Sequence, residues 1–289
     1  MPRWKRAIAV VACASLLAVH VGEAFAQQPK LPILRDAETE ELLRDYMRPV
    51  LRAAGLAQQN IEVVIINSKE YNAFVADGRR IFVNYGAIYD STTPNQIIGV
   101  LAHEAGHIAG GHLSRLREEL ANAQTAAIIA LIAGAAAIGA GAATGNAREV
   151  GQAAPGIIMA PGEIIRRTLL SYIRTQEEAA DRAAVGFLNA TGQSSRGLIE
   201  TFSRFSQQQL FLSQQVDPYL LSHPTATNRI AQLETLAQAS PHFNKKDPPE
   251  LQFRQTWCAR NWRAISTGRK RWHGAIRNRT IRCPRNTRA

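Results

Sequence analysis

The residues best suited to chemistry lie in GVLAHEAGHIAGGH, residues 99–112, which holds three histidines and one glutamate. On a helix, His103 and His107 share one face, so two imidazole nitrogens can bind one zinc ion at about 2.0 to 2.1 Å. Glu104 is rotated away from that pair and is placed to hydrogen-bond a water on the metal. The pattern predicts a zinc site for peptide hydrolysis, with Glu104 as general base.

The third zinc ligand is not evident from this stretch. A catalytic zinc needs three protein ligands and an open position, and one family of peptidases supplies a histidine through H-E-x-x-H-x-x-G-x-x-H. Gly110 fits that pattern, but Leu113 stands where the histidine is needed. His112 follows His107 by five residues, about 500° around a helix. We therefore expect His112 to face away from the metal pair and to have a structural or ligand-supporting role.

A carboxylate ligand is available in YIRTQEEAADRAAVG, residues 172–186. Glu177 and Asp181 are four residues apart, which suits one carboxylate on zinc and another that orients a ligand histidine. Glu178 competes with Glu177, although the residue four positions after Glu178 is Arg182. Spacing alone leaves both glutamates open, and it also leaves open an acidic face exposed to solvent.

HEAGH followed by EEAAD resembles the paired motifs of a gluzincin metallopeptidase family. This family includes HtpX, the CAAX prenyl endopeptidases and the BepA-like (YfgC-like) proteins, and the periplasmic BepA-like branch is the most similar. The resemblance implies that His103, His107 and Glu177 hold one Zn²⁺ per chain. It also implies that Glu104 is the general base and that Asp181 orients a ligand.

Two further stretches are similar to the same family. YNAFVADGRRIFVNYGAI, residues 71–88, looks like the hairpin before the catalytic helix, whose edge strand can pair with an extended substrate. SHPTATNRI, residues 222–230, looks like the family's H-P-x-x-x-x-R-I element. By that resemblance, His223 occupies the open zinc position in a latent state or stabilises the oxyanion, and Arg229 anchors the element.

The elements before the HEAGH motif can be assigned from periodicity and turn residues. Residues 36–55 have apolar side chains at helical spacing after Asp36 and predict an amphipathic helix. Residues 60–67 predict a buried strand, and the pair Asp77-Gly78 predicts a hairpin. We therefore expect a small sheet before the catalytic helix.

The catalytic helix itself has a predicted start. Thr93 fits an N-cap, Pro94 fits the first helical position, and Gln96 completes a capping box. The helices after the motif are predicted at residues 163–190, about 194–215 and 228–238. Residues 247–249, DPP, are predicted to end the ordered domain.

Residues 126–143 consist only of Ala, Ile, Leu and Gly. Eighteen such residues are long enough to be a membrane-span candidate, but alanine and glycine make them weakly hydrophobic and interrupt a helix. We expect a helical hairpin beside the site or in contact with the membrane surface, with a transmembrane span as the alternative. Residues 145–156 are predicted to be a loop.

The N-terminus is typical of a secretory signal peptide. Basic residues at positions 3, 5 and 6 precede a short apolar run, and AFA at residues 24–26 fits a cleavage site. The pattern predicts that residues 1–26 are removed and that the protein is exported to a bacterial periplasm. An uncleaved membrane anchor is the alternative.

The net charge of +11 is concentrated at the other end of the chain. Residues 251–289 contain eleven Arg and Lys and no Asp or Glu, so the rest of the chain sums to zero. This distribution does not predict a nucleic-acid partner. Residues 246–289 are expected to form a poorly ordered basic tail, in which an oxidising compartment permits a Cys258–Cys283 bridge.

The combined prediction is a mostly helical α+β zinc peptidase domain over residues 27–245. We expect a zinc endopeptidase that cleaves extended or misfolded envelope proteins, with outer-membrane proteins or their assembly machinery as partners. The alternative is a periplasmic chaperone or assembly factor for outer-membrane proteins in which the zinc site is latent.

Overall fold

The computed structural model of the protein describes residues 31–143, 147–211, 223 and 227–266. Within these ranges the chain is mostly helical and contains one four-stranded sheet, which confirms the predicted α+β class. The strands are β1 (Ile33–Leu34), β2 (Glu62–Ile66), β3 (Ala73–Val75) and β4 (Arg80–Asn84). The helices are α1 (Ala37–Ala53), α2 (Tyr85–Asp90), α3 (Pro94–Ala109), α4 (His112–Ala143), α5 (Ala147–Ala190), α6 (Arg196–Phe211), α7 (Thr227–Gln238) and α8 (Pro249–Ser266).

The small sheet lies before the catalytic helix, as predicted. Its strand order is β1-β2-β4-β3, with β2 parallel to β4 and β3 antiparallel to β4. The predicted hairpin is confirmed, because Gly78 has a φ of +75° and Asp77 accepts the backbone N–H groups of Arg79 and Arg80. Strand β3 is therefore at one edge of the sheet, where it packs beside α3.

Helix α1 confirms the predicted amphipathic helix. It begins directly after Asp36, and Gly55 ends its C-terminal turn with a φ of +71°. Its buried face packs into the main core and consists of Thr39, Leu42, Leu43, Tyr46, Met47 and Val50.

Helix α3 starts at the predicted residue, but the predicted capping box is wrong. The side chain of Thr93 caps no backbone N–H, and Gln96 Oε1 accepts the N–H of Thr92 instead. A side chain far along the sequence binds the first turn of the helix instead: Asp247 Oδ2 accepts the backbone N–H of Asn95 at 3.0 Å. The start of the catalytic helix is thus fixed by tertiary contact.

Helix α3 is the central helix of the described fold. Twelve of its 16 residues are buried, so neighbouring helices restrain it on several sides. One close approach depends on Gly106, where an added Cβ would lie 2.9 Å from the carbonyl oxygen of Ala180 in α5. Helix α5 can therefore lie directly against the helix that carries HEAGH.

The structure corrects the predictions for the alanine-rich region. Residues 126–143 form no hairpin of their own, because they continue α4, and α5 begins at Ala147 rather than at a loop or at Glu163. Alanine has the highest helix propensity, and packing of α4 along α5 offsets the cost of the glycines, about 1 kcal/mol each. None of the described helices is long and apolar enough to cross a membrane.

The two predicted helices after α5 are present. Ser194 Oγ accepts the N–H of Arg196 at the start of α6, as expected for a capping serine. The described part of α6 ends at Phe211, and α7 closely matches the predicted segment 228–238.

The predicted end of the ordered domain at residues 247–249 is wrong. Helix α8 begins at Pro249 and buries Gln255, Cys258 and Trp262, which recur at helical spacing. Gln255 accepts a hydrogen bond from Tyr46 and thereby joins α8 to α1. The predicted signal peptide (residues 1–26), residues 267–289 and the pairing with Cys283 lie outside the described residues.

Candidate metal centre

The two histidines of HEAGH and one glutamate meet in the interior. Nε2 of His103 lies 3.0 Å from Nε2 of His107, and both belong to the predicted face of α3. The two carboxylate oxygens of Glu177 lie 3.3 Å from these two nitrogens, one from each. Glu178 is instead 42% exposed and 4.0 Å from Arg182. The close approach of α3 and α5 therefore selects Glu177 from the two glutamates.

The separations between these atoms fit a small metal ion. Four zinc ligands at about 2.0 to 2.1 Å in a tetrahedron are roughly 3.3 Å from one another. The donor atoms of His103, His107 and Glu177 are 3.0 to 3.3 Å apart. Together with a nitrogen of His223, they form a group whose atoms all lie within 4.8 Å of one another. The donor set therefore suits zinc in both geometry and chemistry.

The protonation states of His103, His107 and Glu177 differ. Burial lowers the pKa of His107 to about 3, so the imidazole is neutral at pH 7, which is its metal-binding form. Burial lowers the pKa of His103 as well, but Asp181 and Glu177 outweigh this effect and raise it to about 9. Burial raises the pKa of Glu177, yet His223 and the two helix histidines hold it well below its usual value. Glu177 is therefore a carboxylate at pH 7, whereas His103 must release a proton before a metal can bind it.

Glu104 presents a fully buried carboxylate at the site. Neither of its oxygens has a hydrogen-bond partner among the described residues, although Oε1 lies 3.3 Å from Nε2 of His223. Burial raises the pKa of Glu104 above its usual value. Because a buried carboxylate that accepts no hydrogen bond is costly, this arrangement is expected where the oxygens act on another molecule.

Asp181 and Arg229 surround the outer side of the cluster. Asp181 Oδ1 lies 2.9 Å from Nδ1 of His103, but off the axis of a regular hydrogen bond. Arg229 Nη2 donates to that oxygen at 3.0 Å, Nε donates to the other oxygen, and Nη1 lies 3.0 Å from Glu177 Oε2. The carboxylates of Glu177 and Asp181 are thus held by one buried guanidinium.

His223 reaches three parts of the site at once. Its Nδ1 lies 3.3 Å from Nε2 of His103 and 3.1 Å from both oxygens of Glu177. Its Nε2 lies 3.2 Å from the carbonyl oxygen of Ala73 on β3 and 3.3 Å from Glu104. The imidazole therefore lies between the candidate metal ligands, the candidate base and the edge strand.

His112 does not face away from the metal pair, contrary to the sequence prediction. Its Nδ1 lies 2.9 Å from Nδ1 of His107. The helical phase of 500° does not apply, because α3 ends at Ala109 and the pair Gly110–Gly111 turns the chain before α4. The two consecutive glycines are therefore the feature of the sequence that indicates the end of the helix.

A cleft of about 290 Å³ opens beside the cluster. Glu104, His107, Glu177 and His223 line one part of it, and apolar side chains of β3, α3, α4 and α5 line much of the rest. These apolar residues are Phe74, Val75, Ile108, Leu113, Leu116 and Ile173. The cleft gives an apolar side chain access to the candidate base and to the edge strand.

Comparison with known proteins supports a peptidase with this site. The family described as Peptidase family M48 matches residues 36–237. The putative beta-barrel assembly-enhancing protease of Vibrio cholerae serotype O1 is 27% identical over 222 residues, covering 77% of this chain and 43% of the relative. The beta-barrel assembly-enhancing protease of Escherichia coli K12 is 21% identical over 215 residues, covering 74% and 42% respectively.

A shorter relative is similar over more of its own length. Metalloprotease YcaL of Escherichia coli K12 is 29% identical over 189 residues, covering 64% of this chain and 67% of the relative. By contrast, the chain spans less than half the length of the two beta-barrel assembly-enhancing proteases.

Proposed function

The chain belongs to peptidase family M48 and is a metallopeptidase, and from this premise we propose that it cleaves peptide bonds with zinc held by His103, His107 and Glu177. One observation carries the proposal: donor atoms from two helices converge to within 3.0 to 3.3 Å of one another. Such a group of buried nitrogen and carboxylate ligands is typical of a catalytic zinc site with one further position.

Glu104 is the general base in this proposal. When bound, zinc supplies a Lewis acid for the peptide carbonyl and lowers the pKa of water from 15.7 to about 7. Glu104 accepts the proton of the attacking water and later delivers it to the leaving amine.

The decisive experiment compares wild type with Glu104→Gln on an unfolded protein such as casein. We expect both proteins to contain one zinc per chain, and cleavage by the variant to fall by about 10²- to 10⁴-fold because the base is lost. Glu178→Gln is the matched control, since Glu178 is 42% exposed and outside the cluster. Undiminished cleavage by Glu104→Gln, in a preparation free of other proteases, contradicts the mechanism.

The proposed substrates are extended or misfolded envelope proteins in the periplasm, including outer-membrane proteins. Two similar proteins are named for beta-barrel assembly, which supports this choice. The cleft lies beside edge strand β3, where an extended chain can add by main-chain hydrogen bonding. We expect an unfolded outer-membrane β-barrel protein to be cleaved and the same protein, once folded, to resist.

A second candidate function is a periplasmic chaperone or assembly factor with a latent zinc site. It is favoured by His223, whose Nδ1 lies 3.1 to 3.3 Å from ligand atoms of His103 and Glu177. Under this alternative, the wild type prevents aggregation of an unfolded outer-membrane protein without cutting it, and Glu104→Gln does so equally well. If the protein cleaves the substrate and Glu104→Gln lowers the rate, the protein is a peptidase and the chaperone alternative is rejected.

Contact with a membrane surface is part of the proposal. Ile128, Ile129 and Ile132 on α4 are 58, 62 and 65% exposed, and residues 120–147 contain no Asp, Glu, Lys or Arg. An exposed apolar face of this kind favours an interface with lipid or protein. We propose that this face of α4 lies against the membrane surface near the site of proteolysis.

A further inference from the structure

The outer nitrogen of His107 is engaged by a residue outside the zinc ligand set. Nε2 of His107 faces His103 and Glu177, and Nδ1, on the opposite side of the ring, lies 2.9 Å from Nδ1 of His112. The two imidazole rings are nearly perpendicular, with centroids 4.9 Å apart. His112 is only 7% exposed and, like His107, lines the cleft beside the site.

The turn between α3 and α4 creates this contact. Helix α3 ends at Ala109, and Gly111 has a φ of +61°, which favours glycine. The turn places His112 at the first position of α4 and directs its side chain back towards His107.

Gly110 has a different role from Gly111. Its φ of −75° and ψ of −11° are available to any residue, so the backbone does not require glycine there. A Cβ on residue 110 would, however, lie 2.1 Å from Nε2 of His112 and 2.5 Å from its Cδ2. The missing side chain therefore leaves the space that the His112 ring occupies.

We propose that His112 is a positioning residue for the zinc ligand His107 and that Gly110 keeps the space for it. An imidazole that binds metal through Nε2 carries its proton on Nδ1, so His107 Nδ1–H donates to Nδ1 of a neutral His112. This bond fixes the tautomer and the ring orientation of the ligand. The inference rests on the proposed binding of zinc by His107.

The Nδ1 atoms of the two proposed ligand histidines have different neighbours. His103 has the Asp181 carboxylate at 2.9 Å from its Nδ1, whereas His107 has the imidazole of His112 at 2.9 Å. An imidazole, unlike a carboxylate, carries no negative charge, so His112 can orient His107 without adding one beside Glu177.

The test measures zinc affinity directly, by titrating the zinc-loaded protein with a chelator of known affinity. Removing the acceptor with His112→Ala is expected to weaken zinc binding by about 10- to 100-fold. His112→Asn should stay close to wild type, because its amide oxygen can take the place of Nδ1. Wild-type affinity in His112→Ala overturns the proposal, and so does an equal loss in both variants, which indicates a merely structural effect.

Gly110→Ala tests the space-keeping role in a double-mutant cycle. Alone, it should weaken zinc binding about as much as His112→Ala, because the new Cβ displaces the ring. Combined with His112→Ala, it should cost nothing further, because the clash has been removed. Equal costs in the two backgrounds overturn this role of Gly110, and thermal melting of each zinc-loaded variant checks that the fold is retained.

The outcomes separate this inference from the proposed function. A wild-type protein that binds no zinc refutes the proposed function and the inference together. A wild-type protein that binds zinc, with cleavage dependent on Glu104 but affinity independent of His112, refutes only the inference.

Discussion

Arg229 and Glu177 form an ion pair inside the protein, with Nη1 3.0 Å from Oε2 and both side chains only 4% exposed. The same guanidinium binds Asp181 through its other nitrogens. Two carboxylates that stand four residues apart on α5 are therefore held in one orientation by a residue at the start of α7. This ion pair connects the proposed ligand to the stability of the fold.

Arg229→Ala is expected to reduce the free energy of unfolding by about 3 to 5 kcal/mol, because it leaves two buried carboxylates without their cation. Urea unfolding followed by circular dichroism measures this change. The control is Arg182→Ala on the same helix, where the pair with Glu178 spans 4.0 Å and is about half exposed, so a loss of about 0 to 1 kcal/mol is expected. Similar losses of stability in both variants contradict a stabilising role for the buried ion pairs of Arg229.

Glu177→Ala is expected to lower the zinc content well below one ion per chain, because it removes one of three protein ligands. Glu178→Ala, one residue later and outside the cluster, should retain the ion. Elemental analysis of the purified proteins provides the measurement. If only Glu178→Ala loses zinc, Glu178 is the ligand and the assignment to Glu177 is wrong.

His223→Ala is expected to raise the rate of casein cleavage if His223 holds the open metal position in a latent state. The reason is that its Nδ1 and Nε2 contact the metal ligands, the base and the edge strand together. His242→Ala, outside the cluster, is the control and should leave the rate unchanged. An unchanged or abolished rate in His223→Ala argues instead for a structural or catalytic role of His223.

The contribution of Asp77 to the stability of the hairpin is expected to depend on pH. Burial raises its pKa, but hydrogen bonds from Arg79 and Arg80 outweigh that effect and lower it below 3.8. Its contribution to stability is therefore present above pH 3.8 and is lost as pH falls through the lower folded pKa.

At pH 7, Asp77→Asn is expected to lose up to about 1 kcal/mol, because the Asp77 side chain is 36% exposed and its charge is screened by solvent. The difference from wild type should shrink as the pH falls below about 4. Urea unfolding across this pH range measures it, and a difference that grows towards acidic pH is the contrary result.

The exposed isoleucines of α4 predict binding to lipid vesicles. In a flotation gradient, we expect the wild type to rise with phosphatidylethanolamine–phosphatidylglycerol vesicles. The triple variant with Ile128→Ser, Ile129→Ser and Ile132→Ser should stay at the bottom of the gradient. Phe253→Ser is the control, because Phe253 is 56% exposed but lies on α8. Equal flotation of the wild type and the triple variant rules out this face as the membrane contact.

The catalytic helix was predictable because its information is local. Periodicity, Pro94 at the first position and the spacing of His103 and His107 all act within a few turns of helix. The choice between Glu177 and Glu178 was not local, because it depends on how closely α5 approaches Gly106. Spacing alone places both glutamates on adjacent faces, and only packing brings one of them to the histidines.

The errors in prediction have similar physical reasons. The direction of His112 was wrong because a continuous helix was assumed through Gly110 and Gly111. Helix α8 was missed because the arginine-rich composition outweighed the helical spacing of Cys258 and Trp262. In the first case the glycines beside His112 decide its direction, and in the second the apolar residues between the arginines decide that the segment is a helix.

Asp247 binds the start of α3 although it lies beyond residues 36–237, the part of the chain that matches the family. The segment after the match also contributes Gln255, which bonds Tyr46 of α1 and the carbonyl oxygen of Ile88. The unit that folds is therefore longer than the unit that similarity detects. A shortened chain ending near residue 238 would keep every proposed ligand and still lose the support beneath the catalytic helix.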